Sequence, residues 1–181
     1  DGILLSTFDG SGREVPSAHL NVPLQGAFDL FSHHVYAGAK GATESTLWLG
    51  VILGNRSDQE VTVRVPSGAT YLSQPGAPFL PMPPRMEHDG LSVYAGPGSR
   101  TAGDLIAGAP RPAELPEQIT LAPGATRVLL TLPLPVKGLD PLLNGRTLHL
   151  RLLSDGPVSL ATVGLISDNA PDAPALLGLL D

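Results

Sequence analysis

The sequence predicts an all-β protein, an antiparallel β-sandwich with immunoglobulin-like layering and about eight or nine short strands. Three observations carry that expectation. Apolar and polar residues alternate at a period of two in short runs such as "EVTVRVPSG" and "RTLHLRLLSDG". Turn formers punctuate those runs, with 21 Gly and 19 Pro dispersed among 181 residues. The apolar share is 42% with only 4% aromatics, so Leu, Val and Ala must fill the core. A barrel is the alternative, because strand patterning does not settle closure.

The clearest segment is "TLWLGVILGNRSDQEVTVRVPSG". Leu47, Leu49, Val51 and Leu53 alternate with Trp48 and Ile52, so both faces are apolar, as in a strand covered on both sides. Asn55, Arg56, Ser57 and Asp58 supply turn chemistry, after which Val61, Val63 and Val65 alternate with Thr62 and Arg64. A β-hairpin is expected there. Asn55-Arg56-Ser57 also matches a glycosylation sequon, at a place where a hairpin needs Asn and Ser in any case. A second hairpin is expected in "QITLAPGATRVLLTLPL", turning at Pro123-Gly124. A third is expected in "RTLHLRLLSDGPVSLATVGLI", turning at Ser154-Asp155-Gly156. Weaker strand patterns lie at 3–6, 19–24, 27–36 and 69–72.

The whole chain, 1–181, reads as one sandwich domain with a long Pro/Gly-rich loop insertion at about 73–117. Within that loop Thr101 and Asp104 fit a capping box, and Gly108 and Pro110 stop the short helix expected over 102–107. Phe79, Leu80, Met82 and Met86 suggest that the loop packs on the sandwich. Residues 167–181 read as a C-terminal tail, a linker to a further half.

Charge and composition exclude several functional classes. Lys and Arg number 11 against 17 Asp and Glu, a net charge of −6, so a phosphate backbone finds no basic patch and no nucleic-acid partner is expected. No apolar run approaches the roughly 20 residues of a membrane helix, so the chain is not expected to span a membrane. There is no Cys, which removes disulfides, thiolate nucleophiles and Cys-based zinc sites. The chain opens at Asp1 without Met or a signal-like segment, and reads as a processed piece of a longer protein.

Candidate chemistry is sparse. His33 and His34 are neighbours, but adjacent side chains on a strand point to opposite faces, and His19, His88 and His149 stand at no ligand spacing. No metal and no cofactor are expected. The Asp-Gly pairs at 9–10, 89–90 and 155–156 lack the oxygen-rich pattern of a calcium loop and read as turns. Ser11 in Gly10-Ser11-Gly12 has no base in view and no nucleophile elbow occurs, so no catalytic residue is assigned and no enzyme is expected. The best ligand candidate is an anion site at the helix start, where Gly96, Gly98, Ser99 and Arg100 could present N–H groups and a guanidinium. The tetrapeptide "VYAG" occurs at 35–38 and again at 93–96. The elements around the two copies differ, so they read as two strand-exit turns rather than a duplication.

"DGILLSTF", "VPSAHLNVPLQGAFDLFSHHV", "ATYLSQPGAPF", "VYAGPGSRTAGDL" and "LNGRTLHLRLLSDGPVSLATV" together resemble the N-terminal half of a domain-of-unknown-function family of exported proteins from oxygenic photosynthetic bacteria. The resemblance covers the chain from Asp1 to about residue 166 and implies an exported location in the periplasm, cell envelope or extracellular space. It carries over no catalytic residue. The expected function is that of a non-enzymatic module acting on an unidentified protein partner or in self-assembly. Phe79, Met82, Arg85, Met86, Tyr94 and Arg100 are its candidate interaction residues. The alternative is a glycan- or anionic-ligand-binding module with Tyr36, His34, Trp48 or Tyr94 as platforms. A hydrolase comes third.

Overall fold

The computed structural model describes residues 1–38, 45–81, 83–85, 87 and 96–181. Its organising element is one strand of 25 residues. Leu143–Ser167 (β7) runs unbroken through the Ser154-Asp155-Gly156 motif expected to reverse it. Such a strand has room for two partners in succession along its length. Leu24–Ala37 (β2) and Val61–Leu72 (β4) pair with its N-terminal half. Gly2–Ser6 (β1) and Thr46–Asn55 (β3) pair with its C-terminal half. Gln118–Leu121 (β5) then adds to β4, and Thr126–Leu134 (β6) adds to β3. The seven described strands form one antiparallel sheet that curls into a half-barrel.

The all-β class is therefore as expected, but the described strands join into a single sheet instead of separating into two. Their number also falls to seven, because strands expected to be separate merge. The runs at 61–65 and 69–72 are one strand interrupted by a register shift between Arg64 and Ser67, where Pro66 has no N–H to give a ladder. The weak pattern at 19–24 is not a strand: the segment passes from a 3-10 turn at Pro16–Ala18 into β2 at Leu24.

None of the three expected hairpins forms. β3 ends with Asn55 opposite Val158, and β4 resumes with Val63 opposite Ser154, both antiparallel to β7. The chain has bent there without reversing. β5 and β6 relate in the same way, each pairing with the strand beside it and not with the other. The three turn motifs stand next to one another as the corner of the curled sheet. The Asn55 N–H donates to Ala125 O and the Arg56 N–H to Pro157 O. Asn55 Nδ2 donates to Gln59, Leu121 and Ala122 carbonyls at 2.7, 3.1 and 3.1 Å. Asp155 Oδ1 accepts from the Thr62 N–H at 2.8 Å. A Cβ on Gly156 would stand 2.5 Å from Val61 Cγ2, so the corner closes only with glycine there. Asn55 is itself buried, with its amide spent on the corner.

The core has two compartments. The concave side holds Leu30, Val51, Leu53, Val61, Val63, Leu121, Leu132, Leu150, Leu152 and Leu160, drawn from both halves of the sheet. The convex side of the C-terminal half packs Phe8, Ile52, Ala161 and Val163 under Leu176 and Leu180. Those two leucines come from helix Ala173–Leu177 and the 3-10 turn Gly178–Leu180, which Arg13 ties down through Leu180 O at 2.8 Å. The segment expected as a tail thus supplies core. β3 feeds Val51 and Leu53 to one compartment and Ile52 to the other, as its two-sided apolar pattern predicts. Each such side chain contributes about 1.5–3 kcal/mol by leaving water.

The second half of the sheet is covered on its convex side by the C-terminus. The first half receives Ser99–Ile106 (α2), which follows a single helical turn at Ser73–Gly76 (α1), on the corresponding side. This helix starts earlier than the capping box indicates. Gly98, in the left-handed region at φ 84°, is its N-cap, and Thr101 lies buried inside the first turn with Oγ1 donating to Gly98 O at 3.1 Å. Among the described residues no helix is long and apolar enough to cross a membrane.

Candidate functional site

β2 is a 14-residue strand, and among the described residues its only strand partner is β7. Hydrogen-bonded pairs alternate in an antiparallel ladder. Gly38 N–H donates to Leu142 O, continuing the register in which Ala37 faces Leu143. Even-numbered residues of β2 therefore direct their backbone groups at β7. The N–H and C=O of Phe31 and Val35 point to the outer edge. Side chains alternate as well: Leu30 faces the concave core, while Phe31 and Val35 are 49% and 52% exposed.

Edges of this kind are usually guarded by Lys, Pro or a bulge. Between Gly26 and Ala37 the only acidic or strongly basic side chain is Asp29, and it turns inward along the strand to His149 at 3.3 Å and Arg151 at 4.0 Å. The register shift lies at the far end, between Leu24 and Gly26. From Phe28 to Tyr36 the strand itself carries no Lys, no Pro and no register shift.

A groove of about 370 Å³ runs along that middle stretch. Four consecutive residues line it, Phe31, Ser32, His33 and His34. Since successive strand side chains point to opposite faces, lining by four in a row means that the strand's edge is the floor. Leu4, Leu5 and Thr162 form one wall and Pro97 the other. Leu4 and Leu5 are 46% and 41% exposed because a register shift in β1 between Ile3 and Leu5 disrupts its alternation. A second hollow of about 360 Å³ continues past Phe31 and Pro97 to Gly98, Ser99, Ala102 and His149. Phe31 meets the His149 ring edge-on at 5.8 Å.

The histidines are held separately. His33 Nδ1 shares a hydrogen bond with Thr147 Oγ1 at 2.8 Å, and His19 Nδ1 does so with Ser6 Oγ at 2.8 Å. Burial pushes the pKa of His19, His33 and His34 down, with His33 adding to the effect on His34. Among the described residues no group of three or more His, Asp or Glu is placed to hold a metal ion.

On the other side of the half-barrel the two halves are tied together by buried polar groups. Arg146 is 7% exposed; its Nε donates to Pro133 O at 2.6 Å and its Nη1 to Thr70 Oγ1 at 2.9 Å. Burial holds this guanidinium's pKa down to about 10, against the opposing influence of Glu114. Asn144 Nδ2 donates to Pro135 O at 2.9 Å, and its Oδ1 accepts from the Gln74 N–H at 2.8 Å. These side chains satisfy carbonyls at the end of β6 and just beyond it.

The residues singled out from sequence scatter. Phe79 is half-buried against the sheet, 3.3 Å from where a Cβ on Gly145 would stand. Arg85 is exposed. Met82, Met86 and Tyr94 lie outside the described residues, as does most of the second "VYAG". Arg100 Nη1 donates to Gly76 O at 2.6 Å, and its guanidinium lies 5.4 Å from the Tyr71 ring centre. Arg100 thus pins α2 to the sheet through a carbonyl and a ring, and Ser99 Oγ donates back to Gly96 O at 3.2 Å. Trp48 is half-buried with Nε1 donating to Ser167 O at 3.1 Å, and the Tyr36 hydroxyl is buried without a hydrogen-bond partner among the described residues. Sequence reasoning missed Leu4, Leu5, Phe31 and Pro97. One signal was available: "AFDLFSHHV" carries apolar residues on both alternate faces, although only one face of an outermost strand needs them.

Comparison with curated proteins and with solved structures finds no match. One family model matches residues 1–176, and the chain belongs to that family, described as protein of unknown function (DUF3370).

Proposed function

We propose that the chain is a non-enzymatic interaction module of an exported protein, acting by docking a protein partner. The observation that supports this most is the gathering of Leu4, Leu5 and Phe31, all exposed, in one groove beside β2. Exposed apolar side chains scattered singly need no explanation, but a set lining one groove marks an interaction surface. Polar groups nearby are engaged one by one and do not converge on a common point, which favours docking over catalysis. This reading centres the interaction surface on β2 and β1. The exported location rests on the resemblance noted above, and fractionation of native cells tests it. The docking reading is tested by recovering the protein from its native source at native concentration and measuring the mass of its complex. A stable assembly with a second protein is expected. A lone monomer would sink the reading.

A further inference from the structure

We infer that His19 is the trigger of an acid-released clasp, which holds the C-terminal segment Ala173–Leu180 on the convex face and lets it go when the imidazole takes a proton. The clasp stands apart from the groove and does not depend on the docking reading. Its catch is Arg13, in the loop between β1 and β2. The Arg13 guanidinium donates to Leu180 O at 2.8 Å and to Asp181 Oδ1 at 3.1 Å, while its Nε donates to Asp9 O at 2.9 Å. It also lies 5.5 Å from the centre of the Phe8 ring, which packs with Leu176 and Leu180.

His19 sits where that loop folds back on β1. The Leu20 N–H donates to Ser6 O at 2.9 Å and the Val22 N–H to Thr7 O at 3.0 Å. The imidazole is only 8% exposed. Its Nδ1 shares a 2.8 Å hydrogen bond with Ser6 Oγ, which already accepts from the Phe8 N–H at 3.2 Å. Its Nε2 is buried with no hydrogen-bond partner among the described residues. A neutral ring can leave Nε2 as a bare lone pair, but in an imidazolium both nitrogens carry a proton. Nε2–H would then be a buried, charged donor without an acceptor.

The charges around the ring do not relieve that cost. β1 and the turn Pro16–Ala18 carry none, and Glu14 is exposed. Arg13 repels a charged ring, whereas Asp181 and Asp9 attract it. Both of these carboxylates are exposed, and that of Asp9 is spent on the Ser11 N–H and hydroxyl, at 2.9 Å each. Burial and Arg13 prevail, so the pKa of the closed ring lies below the ordinary value. Once the clasp opens the ring is in water and takes its proton near pH 6.5. Below that pH the open form gains a proton that the closed form refuses, so opening becomes easier by up to about tenfold per pH unit until the closed ring titrates as well. Release bares Ile52, Ala161 and Val163, and acid turns a covered face into an apolar contact surface.

Amide hydrogen exchange on the whole chain tests this, read as protection factors at residues 175–180 from pH 7.5 to pH 5.5, above the carboxylate range. Protection there should fall about fivefold or more while amides of β3 and β7 keep theirs. His19→Gln, which stays polar and takes no charge, should make protection at 175–180 independent of pH. His34→Gln should leave the fall in place. Flat protection in the native chain would overturn the inference, as would equal loss throughout β3 and β7. So would a fall that persists in folded His19→Gln or vanishes in His34→Gln. If His19→Gln does not fold, NMR titration of the His19 ring in the native chain decides: a midpoint at or above about 6.5 overturns the clasp.

Discussion

The half-barrel's two halves meet along two sides, and the protein treats them in opposite ways. On the β6 side, Arg146 and Asn144 reach from β7 to Pro133 and Pro135, so carbonyls that no strand answers are answered by buried side chains. On the side of β1 and β2, no such bridge crosses among the described residues. Leucines and a phenylalanine stand half in water, and the strand edge lies at the floor of a groove. Both sides draw on the same 25-residue strand. Burying a guanidinium with only neutral acceptors is costly, and the depressed pKa of Arg146 reports that cost. One side is thus held by buried polar groups, while on the other Leu4, Leu5 and Phe31 stay about half exposed.

Breaking the sealed side should do the most damage. Arg146→Ala removes bonds to Pro133 O and Thr70 and leaves that carbonyl unanswered. A loss of about 3 kcal/mol is expected, or a fall in Tm of about 6–12 °C, read by thermal and urea denaturation. Asn144→Ala loses the bonds to Pro135 and Gln74, with an expected cost of about 2 kcal/mol by the same measurements. If either variant melts like the native chain, the sealed side is no seal.

Acid should distinguish the two sides without any mutation. His33 and His34 line the open groove, and burial holds both below the ordinary imidazole value. As pH falls through about 6.5, the unfolded chain takes up protons before the folded one does. Stability present above that pH is therefore lost progressively down to the depressed folded values. Arg146, at about 10, does not titrate in this window. A Tm series from pH 8 to pH 5 should decline, and His34→Gln should make the decline shallower. A flat profile would show that the groove histidines carry no such load.

The smallest effect on stability belongs to the open side. Phe31→Lys and Leu5→Lys should each change stability by no more than about 0.5 kcal/mol, since both side chains are about half exposed. Equilibrium denaturation checks this. A loss comparable with that of Arg146→Ala would mean that the groove is core, and the contrast between the sides would collapse.

Much of this fold was legible residue by residue. The two-sided pattern from Leu47 to Leu53 foretold a strand between two apolar compartments, and the packing of Val51 and Ile52 on opposite sides agrees. The sparse aromatic content foretold an interior of Leu and Val. The candidate site was less legible. The irregular stretch at 73–117 stands out because it breaks periodicity, whereas the groove is built largely on regular strands. Phe31 and Leu5 look like ordinary strand residues until the pairing of β2 with β7 and the bulge in β1 are known.

What the sequence determined by itself was local: where the backbone runs extended, which positions are apolar, and where Asn55, Pro123-Gly124 and Ser154-Asp155-Gly156 change its course. Whether the chain reverses or only bends at such a motif was decided by the tertiary structure. A turn residue sets a few dihedral angles, and those angles serve a hairpin or a corner alike. The choice falls to whichever strand offers its hydrogen-bonding edge. Here β7 offered one to β3 and β4 in succession, so neither had reason to fold back on the other. The same long-range pairing brought Phe31 of β2 and the bulged Leu4 and Leu5 of β1 to one groove.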